Sequence, residues 1–122
     1  MKIAVTSTGE TLDSQVDPRF GRAAYFIIVD TETMDLSVVE NENAASAGGA
    51  GISSAKVVID AGAEAVLTGN CGPNAERTLS SGGIKLYTGV KGTVSEAIEF
   101  FKAGKLNEAD GPNVQSHFGT GN

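Results

Sequence analysis

Three times along this sequence, a short apolar run is followed by a glycine-bearing loop and then by a segment with helical periodicity. This alternation of strand, loop and helix favours an α/β domain built on parallel strands. Pro73 stands where its fixed φ suits the first position of a helix, and Thr93 and Glu96 form a capping box. The predicted strands are Leu36–Glu40, Glu64–Thr68 and Ile84–Thr88, and the predicted helices are Ile52–Ala61, Pro73–Ser81 and a third from Thr93 to a cap at Gly104.

Two further strands precede these three units. Lys2–Thr6 alternates polar and apolar residues, and Ala24–Asp30 is the most apolar run, which is typical of a central strand. A short turn joins the second strand to Leu36–Glu40, which predicts a hairpin. The order is therefore β-β-β-α-β-α-β-α. Because helical crossovers are right-handed, we expect the first, fourth and fifth strands to lie parallel. The hairpin then completes a five-stranded mixed sheet with three helices packed on it.

Length and cysteine content limit the architecture. With 122 residues, we expect one domain over residues 1–106 and a flexible polar tail over residues 107–122. Cys71 is the single cysteine, so the chain forms no internal disulfide, which points to a reducing compartment. Met1–Thr6 has no signal-peptide pattern, and no apolar run approaches the ~20 residues that span a bilayer. These features predict a cytoplasmic protein without a membrane partner.

The charge balance argues against one class of ligand. The chain carries 15 acidic and nine basic residues, a net charge of −6. Proteins that bind nucleic acid usually present clustered lysines and arginines to the phosphates, and no such cluster occurs here. We therefore expect no nucleic-acid partner.

The predicted topology brings four glycine-bearing loops to one edge of the sheet, together with the N-termini of all three helices. These loops are Ser7–Arg22, Asn41–Gly51, Gly69–Pro73 and Gly89–Thr93. Open α/β sheets bind ligands at the carboxyl ends of their parallel strands, and helix N-termini present unpaired N–H groups and partial positive charge. Arg19 and Arg22 lie in the first loop. The sequence therefore predicts an anion site at this edge.

Several residues of these loops have both a functional and an ordinary structural interpretation. Arg19 and Arg22 are either ligand contacts or exposed loop charges. The glycines of Gly48–Gly51 lack the pattern of a phosphate-binding loop, which argues against a nucleotide. Cys71 is either core packing or a metal ligand, and its place before a proline-started helix predicts a lowered thiol pKa. His117 is either solvated in the tail or a second metal ligand. The candidate binding residues are Ser7, Arg19, Phe20, Gly21, Arg22, Gly48, Gly49, Ala50, Gly51, Gly69, Asn70, Cys71 and Gly72.

The same loops carry a family resemblance. Val16–Ala23, followed by Tyr25-Phe26, Gly48–Gly51 at one helix start and Gly69–Ala75 at the next, resembles the dinitrogenase iron–molybdenum cofactor biosynthesis family. The similarity extends over about residues 1–106 and is greatest to the stand-alone members, one of which carries a molybdenum–copper sulfide cluster. The resemblance implies a ribonuclease H-like fold. It also implies non-enzymatic binding or carriage of an anionic metal–sulfide cluster containing molybdenum with iron or copper, with cofactor-assembly proteins as further partners.

The sequence departs from that family at one informative position. Many members have histidine before the Phe-Gly pair, where this chain has Arg19, and their histidine-rich tails are reduced here to His117. This departure favours electrostatic holding by arginine and backbone N–H groups over an imidazole–metal bond. Two other function classes remain open. One is an adaptor that binds a regulatory or assembly protein, and the other is a small metabolite enzyme that uses Cys71 or an aspartate.

Overall fold

Five strands and three helices follow one another in the predicted order, in a computed structural model that describes residues 1–42 and 49–109. The strands are β1 (Lys2–Ser7), β2 (Tyr25–Asp30), β3 (Leu36–Glu40), β4 (Ala65–Leu67) and β5 (Lys85–Tyr87), and the helices are α1 (Ala50–Asp60), α2 (Pro73–Ser81) and α3 (Val94–Lys102). The predicted strand boundaries differ from these by at most one residue, and α1 starts two residues earlier than predicted. The α/β class with a five-stranded mixed sheet is confirmed.

The sheet has the order β3-β2-β1-β4-β5. Within it, β1 runs parallel to β4 with Val5 opposite Leu67, and β4 runs parallel to β5. On its other side β1 is antiparallel to β2, with Val5 opposite Ile27, and β2 is antiparallel to β3. The predicted parallel set and the antiparallel hairpin at one edge are therefore both confirmed.

The apolar residues of the strands alternate between two faces of the sheet, and each face has its own core. α1 and α2 cover the face that carries Ala4, Phe26 and Val66, whereas α3 covers the face that carries Ile3 and Val5. The helix residues that belong to these cores are Ala55, Val58, Ala75 and Leu79 on the first face and Val94, Ala97 and Ile98 on the second. Because full burial of a Val, Leu or Ile side chain contributes about 1.5–3 kcal/mol, both faces stabilise the sheet.

The start of α1 differs from the prediction in a way that matters for the site. The helix begins at Ala50 because Gly49, with φ +73°, adopts the left-handed conformation at the N-cap. Ile52 was expected on the buried stripe of this helix, and that expectation is wrong. Its side chain is 37% exposed because it lies in the first turn, and the face of α1 against the core carries smaller residues instead.

Backbone pairing continues past the last helix. The N–H of Ala109 donates to the carbonyl of Leu86 at 2.7 Å, and Glu108 forms a bridge with Tyr87 of β5. The start of the expected tail thus lies along the β5 edge. Within residues 1–42 and 49–109, no helix has the length and apolar character needed to cross a bilayer.

Candidate functional site

A cleft of about 290 Å³ lies between the first turns of α1 and α2 and the loop that follows Phe20. We call it the two-helix cleft. Its lining residues are Gly21, Arg22, Gly49, Ala50, Gly51, Ile52, Gly72, Pro73, Asn74 and Ala75. Arg22 is the charged residue of this set, and its side chain is exposed. The lining is otherwise glycine, small apolar side chains and one amide.

Both helices present backbone N–H groups to the cleft without a side-chain cap. Gly49 and Gly72 are the N-cap residues, and neither has a side chain that could accept a hydrogen bond. In residues 1–42 and 49–109 we find no acceptor for the N–H groups of Ala50 and Gly51 in α1 or of Ala75 in α2. The first turns of two helices therefore direct donors that no described residue accepts, and the positive ends of their dipoles, to the same space.

The third helix N-terminus does not contribute, although the topology predicted that all three would converge. α3 packs on the opposite face of the sheet, and its first-turn donors are all used. The N–H of Val94 donates to the carbonyl of Ser14 at 2.9 Å, and Thr93 and Glu96 form the predicted capping box. The site is thus built by two helices rather than three.

Small residues allow the walls of the cleft to approach closely. A Cβ on Gly21 would lie 3.0 Å from both the Cα and the N of Gly51, and a Cβ on Gly51 would lie 3.2 Å from the Cβ of Ala75. The loop, α1 and α2 are therefore packed backbone against backbone at this point. A Cβ on Gly49 or Gly72 would meet no atom within 4 Å, because both residues border open space.

Two buried polar side chains fix the Gly21 loop to α1. Asn41 donates through Nδ2 to the carbonyls of Ala23 at 2.9 Å and Gly21 at 3.3 Å. Ser54 of α1 donates through Oγ to the same Gly21 carbonyl at 3.2 Å. These bonds hold Arg22 at the mouth of the cleft.

A buried carboxylate organises the preceding part of this loop and separates the two arginines. Asp17 is 3% exposed, and its carboxylate accepts the backbone N–H of Arg19 at 3.0 Å and that of Ala24 at 3.4 Å. The Arg19 guanidinium lies 3.5 Å from the same carboxylate, with 64% of its side chain exposed. Arg19 therefore interacts with Asp17 and does not line the cleft, whereas Arg22 does.

Contacts of Phe20, Gly69 and Asn70 join the loops next to the cleft, whereas Ser7 shares the α3 face of the sheet with Ile3 and Val5. The Phe20 N–H donates to the carbonyl of Asn70 at 3.0 Å, and the Asn70 amide donates to the carbonyl of Pro18. A Cβ on Gly69 would lie 2.7 Å from the Cα of Pro18, so only glycine allows this approach. Ser7 is buried at the end of β1 and donates to the carbonyl of Gly9.

The expected pKa shift of Cys71 is wrong in sign. Its side chain is 1% exposed and packs in the core beneath α1 and α2, where burial raises the pKa of the thiol from 9.0 to about 12. Glu76 in the first turn of α2 adds to this increase. The helix N-terminus was expected to lower the pKa, whereas burial and the Glu76 carboxylate raise it. Ligation by Cys71 stays a prediction, although the thiol is protonated at neutral pH.

Six of the predicted binding residues thus line the cleft, five lie around or beneath it, and Ser7 shares the α3 face of the sheet with Ile3 and Val5. The first set is Gly21, Arg22, Gly49, Ala50, Gly51 and Gly72, and the second is Arg19, Phe20, Gly69, Asn70 and Cys71. Gly48 and His117 lie outside the described residues. Among the residues that the structure describes, no group of three His, Cys, Asp or Glu side chains is placed to hold a metal ion.

Sequence reasoning missed four residues of the cleft wall, namely Ile52, Pro73, Asn74 and Ala75. A signal for three of them was present, because Pro73 marks the first turn of α2 and a ligand at a helix N-terminus contacts that turn. Ile52 had no such signal, since its apolar side chain fits a buried stripe equally well.

Comparison with known proteins identifies the family. The family model described as "Dinitrogenase iron-molybdenum cofactor" matches residues 1–104. The solved structure of the apo form of the orange protein from Desulfovibrio gigas is 43% identical with a TM-score of 0.91, over 93% of this chain and 96% of that one. A putative NifB protein from Thermotoga is 42% identical with a TM-score of 0.78, over 88% of this chain and 91% of that one. An uncharacterized protein of Methanocaldococcus jannaschii is 29% identical over 99 residues, which cover 79% of this chain and 84% of that protein. The chain therefore belongs to the dinitrogenase iron-molybdenum cofactor family.

Proposed function

We propose that the two-helix cleft binds an anionic metal–sulfur cluster and that the protein carries this cluster without catalysing a reaction. One observation supports the location more than any other: two helix N-termini without side-chain caps face the same cleft. Each contributes roughly half a positive charge and N–H donors that residues 1–42 and 49–109 leave without an acceptor. An anion that spans the cleft would satisfy donors on both helices at once.

The lining suits a cluster better than a phosphate group. Its N–H donors alternate with apolar surface from Ile52, Pro73 and Ala75. Sulfide atoms are large and polarisable, so a metal–sulfide cluster spreads its charge over a weakly hydrated surface that tolerates apolar contact. A compact, strongly hydrated phosphate would lose more hydration energy against such walls. The absence of a phosphate-loop lysine among Gly49–Gly51 agrees with this choice.

Arg22 supplies local positive charge at the cleft, whereas the protein as a whole is acidic. The chain has a net charge of −6, so its mean field repels an anion. The guanidinium of Arg22 at the cleft can donate charge-assisted hydrogen bonds to sulfide, and the bonds of Asn41 and Ser54 to Gly21 keep its backbone in place. We assign to Arg19 a lesser, longer-range role because it does not line the cleft.

Binding on this proposal uses hydrogen bonds and charge rather than protein–metal bonds. The metal-ligating form of cysteine is the thiolate, and burial holds the pKa of Cys71 near 12. We therefore propose that Cys71 supports the floor of the cleft as a protonated, buried side chain. A ligand held in this way can be taken up and released as an intact unit, which is what a carrier requires.

Family membership supports a metal cluster in general, and the resemblance to stand-alone members supports molybdenum with iron or copper in particular. The family match ends at residue 104, in agreement with a binding unit that occupies residues 1–106. We propose a molybdenum-containing sulfide cluster as the cargo and cofactor-assembly proteins as the sources or recipients of that cargo.

A binding titration tests the proposal. We expect anaerobic protein to bind tetrathiomolybdate, alone or with copper(I), with an affinity that falls as salt is raised. Arg22→Gln should weaken binding roughly tenfold to a hundredfold, because a hydrogen bond to a charged group contributes about 1.5–3 kcal/mol. Isothermal titration calorimetry, or the change in the visible absorption of the thiomolybdate, gives both affinities.

Arg19→Gln is the matched control, since it removes the same charge from the same loop but not from the cleft wall. It should weaken binding several-fold less than Arg22→Gln and leave more of the salt dependence intact. Equal effects of the two substitutions, or affinity that neither changes, would contradict the assigned role of Arg22.

A further inference from the structure

The edge strand β3 has main-chain groups that no described residue satisfies. Residues 1–42 and 49–109 provide only β2 as a partner for this strand. The N–H of Asp30 donates to the carbonyl of Asp35, and the N–H of Asn41 donates to the carbonyl of Ala24, so these pairs are bonded across the ladder. Bonded and non-bonded pairs alternate along antiparallel strands. The residues whose N–H and C=O groups point away from the sheet are therefore Leu36, Val38 and Glu40.

The side chains of this edge extend an apolar face that α3 covers only in part. Val38 lies opposite Ile27, and Leu36 lies opposite Val29; both β2 residues belong to the core beneath α3. Cross-strand partners point to the same face of a sheet. At β3, however, Leu36 is 46% exposed and Val38 is 39% exposed. Leu36 and Val38 thus combine outward main-chain donors and acceptors with exposed apolar side chains.

The surroundings of this edge are acidic. Residues 30–42 contain five of the chain's 15 acidic residues and none of its nine basic residues. They are Asp30, Glu32, Asp35, Glu40 and Glu42. The basic groups recorded beside this segment are the N-terminal ammonium, 3.6 Å from Glu32, Lys2, which lies opposite Asp30, and Lys102, which contacts Met34. The five carboxylates still outnumber these three basic groups. Pairing of two copies through β3 would bring both acidic segments together, which disfavours a homodimer and favours a basic partner.

Edge strands are usually protected by proline, by charges within the strand or by a bulge. β3 carries one charge, Glu40 at its last position, and the preceding Leu36-Ser37-Val38-Val39 has neither charge nor proline. We propose that β3 is the docking strand for a partner protein that presents an extended segment of alternating apolar and basic residues. That segment adds to the sheet as a sixth strand. Main-chain bonds to Val38 and its neighbours give affinity, apolar contacts fix the register, and the acidic flanks select the basic partner.

The docking strand and the two-helix cleft lie on different faces of the sheet. The cleft is on the side of α1 and α2, whereas Leu36 and Val38 face the side of α3. A partner on β3 leaves the cleft accessible, so docking and cluster binding can occur together. The two proposals therefore fail or succeed separately.

The test is a titration of ¹⁵N-labelled full-length protein with two short acetylated and amidated peptides, one alternating lysine with valine and the other glutamate with valine. We expect the lysine peptide to shift the amide signals of Leu36, Val38 and Glu40 and to slow their hydrogen exchange. It should bind roughly tenfold more tightly than the glutamate peptide at low salt. Tetrathiomolybdate affinity should be the same with and without the lysine peptide.

Two substitutions at one position distinguish main-chain pairing with β3 from non-specific peptide binding. Val38→Pro removes an outward N–H without removing a bond to β2 and should abolish peptide binding, since edge positions tolerate proline. Val38→Thr keeps the N–H and the branched shape and should keep binding. If Val38→Pro does not fold, the double variant Glu40→Lys/Glu42→Lys decides, because it leaves the backbone unchanged, reduces the charge of residues 30–42 from −5 to −1 and should remove most of the preference for the lysine peptide.

Three results would overturn the proposal. The first is equal binding of both peptides, or binding of neither. The second is a set of shifts that lies away from β3 or, in folded protein, survives Val38→Pro unchanged. The third is a dimer in sedimentation equilibrium that Val38→Pro converts to monomer, because the strand would then serve a second copy of this chain.

Discussion

Gly21 and Gly51 approach so closely that a Cβ on Gly21 would lie 3.0 Å from the Cα of Gly51. This contact joins the loop that carries Arg22 to the first turn of α1. Both neighbouring atoms are backbone, so they cannot yield by a change of rotamer. The shape of the two-helix cleft therefore depends on the absence of a side chain at this position.

We predict that Gly21→Ala separates the loop from α1 and damages both folding and binding. Overpacking of this kind costs about 1–3 kcal/mol of unfolding free energy. The matched control is Gly72→Ala, where a Cβ meets nothing within 4 Å and φ of −80° suits alanine. That variant should be as stable as wild type or slightly more stable. Urea unfolding of both variants checks this, and equal losses of stability would refute the role of the Gly21–Gly51 contact.

The Asp17 carboxylate should be as important for the loop as the glycine contact. Asparagine has the same shape, but it replaces one accepting oxygen with an NH₂ group that would face the N–H of either Arg19 or Ala24. Asp17→Asn is expected to lower the unfolding free energy by about 1.5–3 kcal/mol and to weaken tetrathiomolybdate binding. The exposed Asp13→Asn serves as the control for loss of one negative charge. If the two variants unfold at the same urea concentration, Asp17 does not organise the loop.

Burial of Cys71 predicts a specific pH dependence of stability. The thiol pKa is about 12 in the folded protein and near 9.0 in the unfolded chain, so between these values the folded state retains a proton that the unfolded state has lost. The contribution of Cys71 to stability is therefore complete below about pH 9 and declines as the pH rises toward 12. Wild type should lose stability over this range more steeply than Cys71→Ala, as measured by urea unfolding at a series of pH values. Parallel curves would show that the folded thiol titrates normally.

Alkylation tests the burial and protonation of the Cys71 thiol independently. Because alkylation requires an accessible thiolate, iodoacetamide at pH 8 should modify Cys71 only when the protein is unfolded. Cys71→Ser should retain part of the tetrathiomolybdate binding, since the N–H donors and Arg22 remain. Complete loss of binding in a folded Cys71→Ser variant would instead assign the sulfur as a ligand.

The order of the elements could be predicted because its signals are local. Each signal depends on a few neighbouring residues. Examples are the apolar run before Asp30, which predicts β2, the proline that starts α2, and the capping box of Thr93 and Glu96, which starts α3. The right-handed crossover rule then fixed the parallel set and the edge at which the loops meet. α1 and α2 each connect two strands, so this rule also places both on one face.

The position of α3 could not be predicted by the same rule. No strand follows this helix in the described chain, so no crossover restricts its face. The structure places it on the opposite face, where its N-terminal donors bond to Ser14 and the capping box. For this reason the cleft lies between two helix N-termini, although three were expected to converge.

The details within the site depend on tertiary contacts that spacing does not reveal. Arg19 and Arg22 are equivalent in the sequence, whereas in the structure Arg19 lies beside the buried carboxylate of Asp17 and Arg22 lines the cleft. The pKa of Cys71 was predicted from its neighbours along the chain, whereas it is set by the apolar residues that surround it in space. Ile52 fits a buried stripe by its periodicity, but the helix starts two residues earlier and leaves it at the cleft.

The most direct test of the central proposal is to locate the bound anion. Anaerobic ¹⁵N-labelled protein is titrated with tetrathiomolybdate, and the shift of each backbone amide is followed. We predict that the largest shifts occur at the N–H groups that point into the two-helix cleft, those of Ala50, Gly51 and Ala75, and that Arg22→Gln reduces them at equal ligand concentration. Shifts concentrated at the N-terminus of α3, or spread evenly over the surface, would contradict binding in this cleft.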